Sequence, residues 1–313
     1  MKSVQKYFNP VLFLKGMAMG AANVIPGVSG GTIALITGIY ERLIDAIKSF
    51  DLKAFKLLMQ GNRKEFSQHV DLPFLLPVGS GLLVAVFSLA KLFSYLFANY
   101  PEYIWAYFFG LVLASVYFVG KTVEKWKTRT YLAFLTGVAI AVLLTVLHPA
   151  GENEHPLYLF LSGIVAIVSM ILPGLSGSFV LILLGNYRLV AIDAINHFNL
   201  KILIPFALGA AVGLVAFSHF LSWLFKKYKD LTIALLTGFI LGSLSILWPW
   251  KKPVYLMQDG QVVVKHGRKL VAYYEQSFPQ QFDTTSVLVI FFMLAGLISI
   301  FWIEKTSMQK EKK

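Results

Sequence analysis

Two short runs hold the residues best suited to chemistry: Ile25-Pro26-Gly27-Val28-Ser29-Gly30-Gly31-Thr32 and Leu172-Pro173-Gly174-Leu175-Ser176-Gly177-Ser178. Each sets a proline, two or more glycines and hydroxyls inside a strongly apolar stretch. Pro26 and Pro173 end one helical arm, and the glycines let the backbone turn at positive φ and approach a ligand closely. Ser29, Thr32, Ser176 and Ser178 then stand at the start of a second arm, where N-cap residues belong. A helix start that presents free N–H groups, a positive dipole end and hydroxyls suits a phosphate or a carboxylate. A tight turn with ordinary capping is the alternative, and its recurrence in two copies favours the anion site.

Ionisable residues accompany both runs. Arg42 follows Tyr40 and Arg188 follows Tyr187, and Glu41, Asp45 and Asp193 lie nearby. An arginine can grip a phosphate with two parallel hydrogen bonds; a local Arg42–Asp45 pair near the headgroups is the competing reading. The three carboxylates are candidate coupling residues that carry protons. Lys91 and His219 interrupt apolar runs, where snorkelling to the interface competes with a functional role.

Other chemistries find little support. The chain has no cysteine, and its six histidines show no metal-ligand spacing, so neither a metal nor a cofactor is expected. Gly27-Val28-Ser29-Gly30-Gly31 fits the G-x-S-x-G pattern of a nucleophile elbow, but it lacks the strand–turn–helix context. No Walker-type phosphate loop occurs. The formal net charge of +12 is spread between apolar runs and not along one face, which argues against nucleic acid.

The elements that must position these runs are set by composition and repetition. Of 313 residues, 57% are hydrophobic and 14% charged, which marks a polytopic membrane protein, since a soluble domain is far more polar. The N-terminal Lys2 and Lys6 followed by apolar residues could pass for a leader. Lys15 and the onset of the first repeat favour a retained segment. At an offset of 147, Pro26, Gly27, Ser29, Gly30, Gly38 and Tyr40 meet Pro173, Gly174, Ser176, Gly177, Gly185 and Tyr187. After one inserted residue, Asp45-Ala46-Ile47 meets Asp193-Ala194-Ile195. At an offset of 128, Pro77 and Gly81 meet Pro205 and Gly209.

The expected fold is all-α, with two inverted-topology repeats. Residues 1–150 hold a broken hairpin (10–48) and helices over 73–97, 103–120 and 130–147. Residues 151–313 hold a hairpin (157–196) and helices over 202–225, 231–249 and 286–303. Lys and Arg cluster in 48–72, 121–129, 226–229 and 305–313, which places these segments and both termini in the cytoplasm. The stretches 98–102, 148–156 and 250–285 fall outside, although the last is basic. Parity then makes each broken segment a hairpin returning to its own face. The arms are marginal for a crossing, which favours re-entrant hairpins from opposite faces; two full-crossing hairpins would give the same parity. Three crossings per half, an odd number, invert the halves.

Asn23-Val24-Ile25-Pro26-Gly27-Val28-Ser29-Gly30-Gly31-Thr32 and Leu172-Pro173-Gly174-Leu175-Ser176-Gly177 resemble the paired motif of a bacterial and archaeal membrane family of undecaprenyl-phosphate translocases. The resemblance spans nearly the whole chain. It implies a flippase in the cytoplasmic membrane that returns undecaprenyl phosphate to the inner leaflet for cell-wall polysaccharide synthesis. The loop residues it carries over are Asn23, Pro26, Gly27, Ser29, Gly30, Gly31, Thr32, Pro173, Gly174, Ser176, Gly177 and Ser178. The first run also resembles part of the P-G-x-S-R-S loop of polyprenyl-diphosphate phosphatases, but Gly30 stands where those enzymes carry arginine. A phosphatase and a secondary transporter of a small anion are the alternatives.

Overall fold

The computed structural model describes residues 9–24, 29–147, 149–195, 197–255, 257–258, 261–262, 264–265, 268–269, 271–279 and 283–311. In the first half, α1 (Pro10–Val24), α2 (Gly30–Ile36) and α3 (Tyr40–Lys48) precede two short helices, α4 (Leu52–Met59) and α5 (Arg63–His69). Then come α6 (Leu72–Asn99), α7 (Pro101–Lys121) and α8 (Thr128–Val146). The second half runs α9 (Pro156–Ile171), α10 (Gly177–Leu183), a π-helical turn (Leu189–Ala194), α11 (Leu200–Lys227), α12 (Lys229–Leu247) and α13 (Thr284–Glu311). Among the described residues, α6, α7, α8, α11, α12 and α13 are long and apolar enough to cross a membrane. This is a multi-pass membrane protein.

The sequence offsets reappear as element boundaries. Seven residues of α2 correspond to seven of α10 at offset 147, and the 28 residues of α6 to those of α11 at offset 128. Pro77 and Pro205 sit inside the two long helices at the same place. Short helices α2 and α10 both end on a left-handed glycine, Gly38 at φ +70° and Gly185 at φ +75°, a conformation that costs glycine nothing. The last carbonyls are held by side chains from the preceding arm. Lys15 Nζ donates to Thr37 O at 2.6 Å, and Tyr158 Oη to Leu184 O at 2.8 Å. Glycines also set the packing between arm and long helix. A Cβ on Gly16 or Gly81 would collide with the backbone of Val78 or Phe13, and one on Gly163 or Gly209 with that of Phe206 or Phe160. The backbones of α1 and α6, and of α9 and α11, therefore pass in direct contact.

The one-residue insertion in the second copy has a physical form. Where α3 is α-helical, its counterpart opens into the π-helical turn. A turn closed by i→i+5 bonds takes in one extra residue without shifting the chain beyond it. It also sets residues five apart side by side, and Arg188 Nε reaches Asp193 Oδ2 at 3.1 Å.

The chain divides into two units. One takes in the described residues up to Tyr95 together with Ser115–Ser243, and so contains both broken hairpins; the other takes in Leu96–Ala114 and the residues from Leu244 onward. In the second unit α7 and α13 pack through Gly110 against Met293 and Gly296 against Tyr107. Tyr107 Oη donates to Ser299 Oγ at 3.2 Å.

Two segments expected as plain connections carry structure. The 48–72 stretch holds α4 and α5. Asp51 caps α4 by accepting from Ala54 N at 2.9 Å, and Asn62 caps α5. The Ala54 N–H and the His69 side chain keep the Asp51 carboxyl below its usual range. The 250–285 stretch holds β1 (Lys251–Tyr255), β2 (Met257–Gln258), β3 (Gln261–Val262), β4 (Val264–Lys265), β5 (Arg268–Lys269) and β6 (Val271–Gln276). All are antiparallel: β1 pairs with β6 across an irregularity between Val254 and Tyr255, β2 with β3, and β4 with β5. The fold class is all-α as expected, with this antiparallel stretch added between α12 and α13. At the start of β1, Lys251 Nζ lies 3.8 Å from the Trp105 ring centre, and burial pushes its ammonium down to about 7.

Candidate functional site

The two breaks meet. Gly174, at φ +82°, donates its N–H to Thr32 Oγ1 at 2.9 Å. Ser29 Oγ donates to Met170 O at 3.3 Å, and Tyr40 Oη to Ile171 O at 3.0 Å. The carbonyls at the end of α9, orphaned because the helix stops there, thus find donors on the other hairpin. Gly31 lets the backbones come this close: a Cβ there would stand 2.6 Å from Ile171 O.

Within that contact the two copies differ. On the first, Ser29 is the N-cap of α2 and its Oγ accepts from Gly31 N at 3.1 Å. Asn23 Oδ1 accepts from Gly30 N at 2.7 Å, and Ser29 O from Thr32 N at 2.9 Å. The first three amides of α2 are therefore engaged, and Ser29 and Thr32 are 3% and 1% exposed. On the second copy Ser176 is the N-cap of α10 with the same extended backbone, yet its side chain caps no amide. Ser176 Oγ instead meets Ser178 Oγ at 2.7 Å. The N–H groups of Gly177, Ser178 and Phe179 have no acceptor among the described residues. Ser176 and Gly177 are part-exposed and Ser178 is exposed, while Pro173 and Gly174 are buried.

The substitutions between the copies explain the difference. At offset 147, Asn23 becomes Met170, Gly31 becomes Ser178 and Thr32 becomes Phe179. The second copy therefore lacks the amide that caps Gly30 and the hydroxyl that receives Gly174. Of the sequence-derived set, the structure joins Asn23, Ser29, Gly30, Gly31, Thr32, Pro173 and Gly174 in the buried contact. It leaves Ser176, Gly177 and Ser178 as an accessible lip; Pro26 and Gly27 lie outside the described residues. The sequence repeat pairs Tyr40 with Tyr187 but gives Tyr40 no role in the site. Its position just after the left-handed Gly38 is the available signal.

The charged candidates stand apart from this contact. Arg42 pairs with Asp71 and not with Asp45, through Nε–Oδ2 at 2.7 Å and Nη2–Oδ1 at 3.1 Å, and covers the Phe74 ring at 4.6 Å. Arg188 pairs with Asp193. Glu41 meets Lys229 at 3.0 Å. Asp45 accepts from Ser222 Oγ at 2.6 Å, with Lys226 at 3.7 Å. His219 bonds the Val215 carbonyl of its own helix. No group of three acidic or histidine side chains suited to a metal occurs among the described residues.

What the arrangement offers is a double helix break inside an apolar protein. A buried clasp joins the two halves, and a lip of two hydroxyls and three unengaged amides borders it. Such donors suit an anionic oxygen. The sequence model of a family described as undecaprenyl phosphate translocase-like matches residues 19–264. A polyprenyl-phosphate transporter of Vibrio cholerae is 38% identical over 295 residues, which cover 94% of this chain and 95% of that protein. A polyprenyl-phosphate transporter of Staphylococcus aureus is 32% identical over 260 residues, covering 77% and 87%. No solved structure matches the chain.

Proposed function

The chain belongs to the undecaprenyl phosphate translocase-like family, and from that premise we propose that it carries polyprenyl phosphate across the cytoplasmic membrane, returning the lipid carrier for cell-wall polysaccharide synthesis. The phosphate is held at the lip formed by Ser176, Gly177 and Ser178, and the isoprenoid tail stays in lipid. The observation that carries this reading is the hydrogen bond from Gly174 N–H to Thr32 Oγ1, which brings the two breaks together beside amides that have no acceptor among the described residues.

The architecture supports it. The halves 1–150 and 151–313 act as inverted repeats, with both termini cytoplasmic and the hairpins entering from opposite faces. First arms of 15 and 16 residues measure about 22 and 24 Å, and the second arms are each interrupted after a helix of seven residues, at Gly38 and Gly185. These are short of the ~30 Å hydrocarbon core, which favours re-entrant hairpins. Alternating access then rests on the clasp. Parting Ser29 Oγ from Met170 O and Thr32 Oγ1 from Gly174 N would uncover the start of α2, whose amides stay capped by Asn23 and Ser29, and would free the Gly174 amide beside those of α10. The cargo is moved unchanged, because the lip supplies donors for charge without a cation to draw electrons from a breaking P–O bond. Asp45, shared between Ser222 and Lys226, is the best placed of the three coupling candidates, since rearrangement of α3 against α11 would change its partners.

The test is ligand binding by the purified protein. Polyprenyl phosphate should bind and inorganic phosphate at equal concentration should not displace it. Preferential binding of inorganic phosphate would turn the reading toward a small-anion transporter. Phosphate release from polyprenyl diphosphate would turn it toward a phosphatase.

A further inference from the structure

A cavity of about 560 Å³ opens at the junction of α7 and α8, with Thr237 of α12 in its wall. None of its lining residues belongs to the clasp or the lip. Its walls are aromatic: Trp126 stands 4.9 Å from Tyr131 and 5.9 Å from Phe134, ring centre to ring centre, and Tyr117 faces it from α7. Trp126 is fixed by its Nε1–H, which donates to Gly120 O at 3.2 Å. Gly120 forms part of the wall because it has no side chain. A Cβ there would lie 3.6 Å from Thr237 Cγ2 and 3.7 Å from the Trp126 ring, so anything larger would project into the space.

The mouth is basic. Lys121 lines it and has no ion-pair partner among the described residues. Lys125, Lys127 and Arg129 lie within the same short segment, against Glu124 and Asp230. Asp230 is already engaged, accepting from the N–H groups of Glu124 and Lys125 at 3.1 Å each. Beyond the mouth, Leu132 and Leu135 are 59% and 58% exposed along α8, a surface suited to lipid. A cationic rim on an aromatic cleft that continues into a lipid-facing surface matches a single-chain lipid with an anionic head. The volume is in the range of small-molecule sites and fits a phosphate with the first isoprene units of one chain.

We propose that this cleft is a second binding site for the phosphate end of an isoprenoid lipid, holding it before loading at the breaks or after release from them. Lys121 pairs with the phosphate and Tyr117, Trp126, Tyr131 and Phe134 enclose the proximal chain. The assignment of the same lipid to both places rests on the proposed function.

Native mass spectrometry of the whole protein with farnesyl phosphate tests it. Two bound molecules are expected. Lys121→Gln, a change at an exposed side chain, should weaken one of them about tenfold, the loss of one charge-assisted hydrogen bond. Gly120→Leu should abolish that same molecule by filling the cleft. Ser176→Ala with Ser178→Ala should remove the other. Binding that neither Lys121→Gln nor Gly120→Leu alters would overturn the inference and leave the proposed function standing. Displacement by equimolar phosphatidylglycerol of the molecule that these two changes affect would also overturn it, showing a general anionic-lipid groove. If only the Ser176 and Ser178 changes were without effect, the cleft would stand and the breaks would fail as the phosphate site.

Discussion

Thr32 and its counterpart Phe179 show how one side chain decides whether a helix break can hold the other. Thr32 Oγ1 receives Gly174 N–H in a buried contact, whereas Phe179 offers no side-chain oxygen for such a bond. The hydroxyls and glycines of both runs are legible as a candidate site, because their types are costly in an apolar segment without a use. The division into clasp and lip is not legible in the same way, although the exchanges Asn23 to Met170 and Thr32 to Phe179 encode it. Asn23 acts on Gly30 of its own hairpin, whereas Thr32 takes its meaning from Gly174 across the contact, a partner that a repeat alignment does not supply. The closeness of the contact yields a prediction. A methyl at Gly31 meets Ile171 O at 2.6 Å, a backbone atom that cannot swing aside, while one at Gly79 meets nothing within 4 Å. Gly31→Ala should lower stability by about 1–3 kcal/mol, the usual cost of overpacking, and Gly79→Ala should not. Denaturant unfolding in detergent measures both, and equal midpoints would contradict the tight approach.

At the level of elements, the six long apolar helices and the two hairpins are readable from hydropathy and from breaker residues. The broken segments contain very short second arms, α2 and α10, closed by Gly38 and Gly185. The inserted residue between Tyr187 and Asp193 is visible as a gap in the repeat, and its π-helical form comes from the need to keep Ala194 in register with Ala46. Both alanines are buried. The i→i+5 bonds of such a turn are poorly aligned, so its amides should open more readily. Hydrogen–deuterium exchange over 190–195 is expected to run several-fold faster than over 43–48; equal protection would argue against the π geometry. The antiparallel pairing of β1 with β6 escapes a reading of the sequence. Its strands are five and six residues long, and they lie in a polar stretch that hydropathy marks only as non-membrane.

For the whole molecule, loop charges are the ground for the proposed orientation, and the internal duplication is the ground for proposing that the halves are opposed. The chain lacks cysteine, which makes the orientation simple to measure. A single cysteine at Lys125 should react with an impermeant maleimide only from the cytoplasmic side, and one at Glu152 only from outside. Labelling of both from one side would contradict the inverted arrangement. The proposal stands or falls on whether the lip of the joined breaks carries the phosphate. The direct measurement is transfer of undecaprenyl phosphate between leaflets of proteoliposomes by the unaltered protein and by the Ser176→Ala, Ser178→Ala variant. The account predicts a fall of at least about tenfold, as expected when charge-assisted hydrogen bonds to the cargo are lost, with the unfolding midpoint unchanged. Transfer at the full rate by the doubly substituted protein would contradict it.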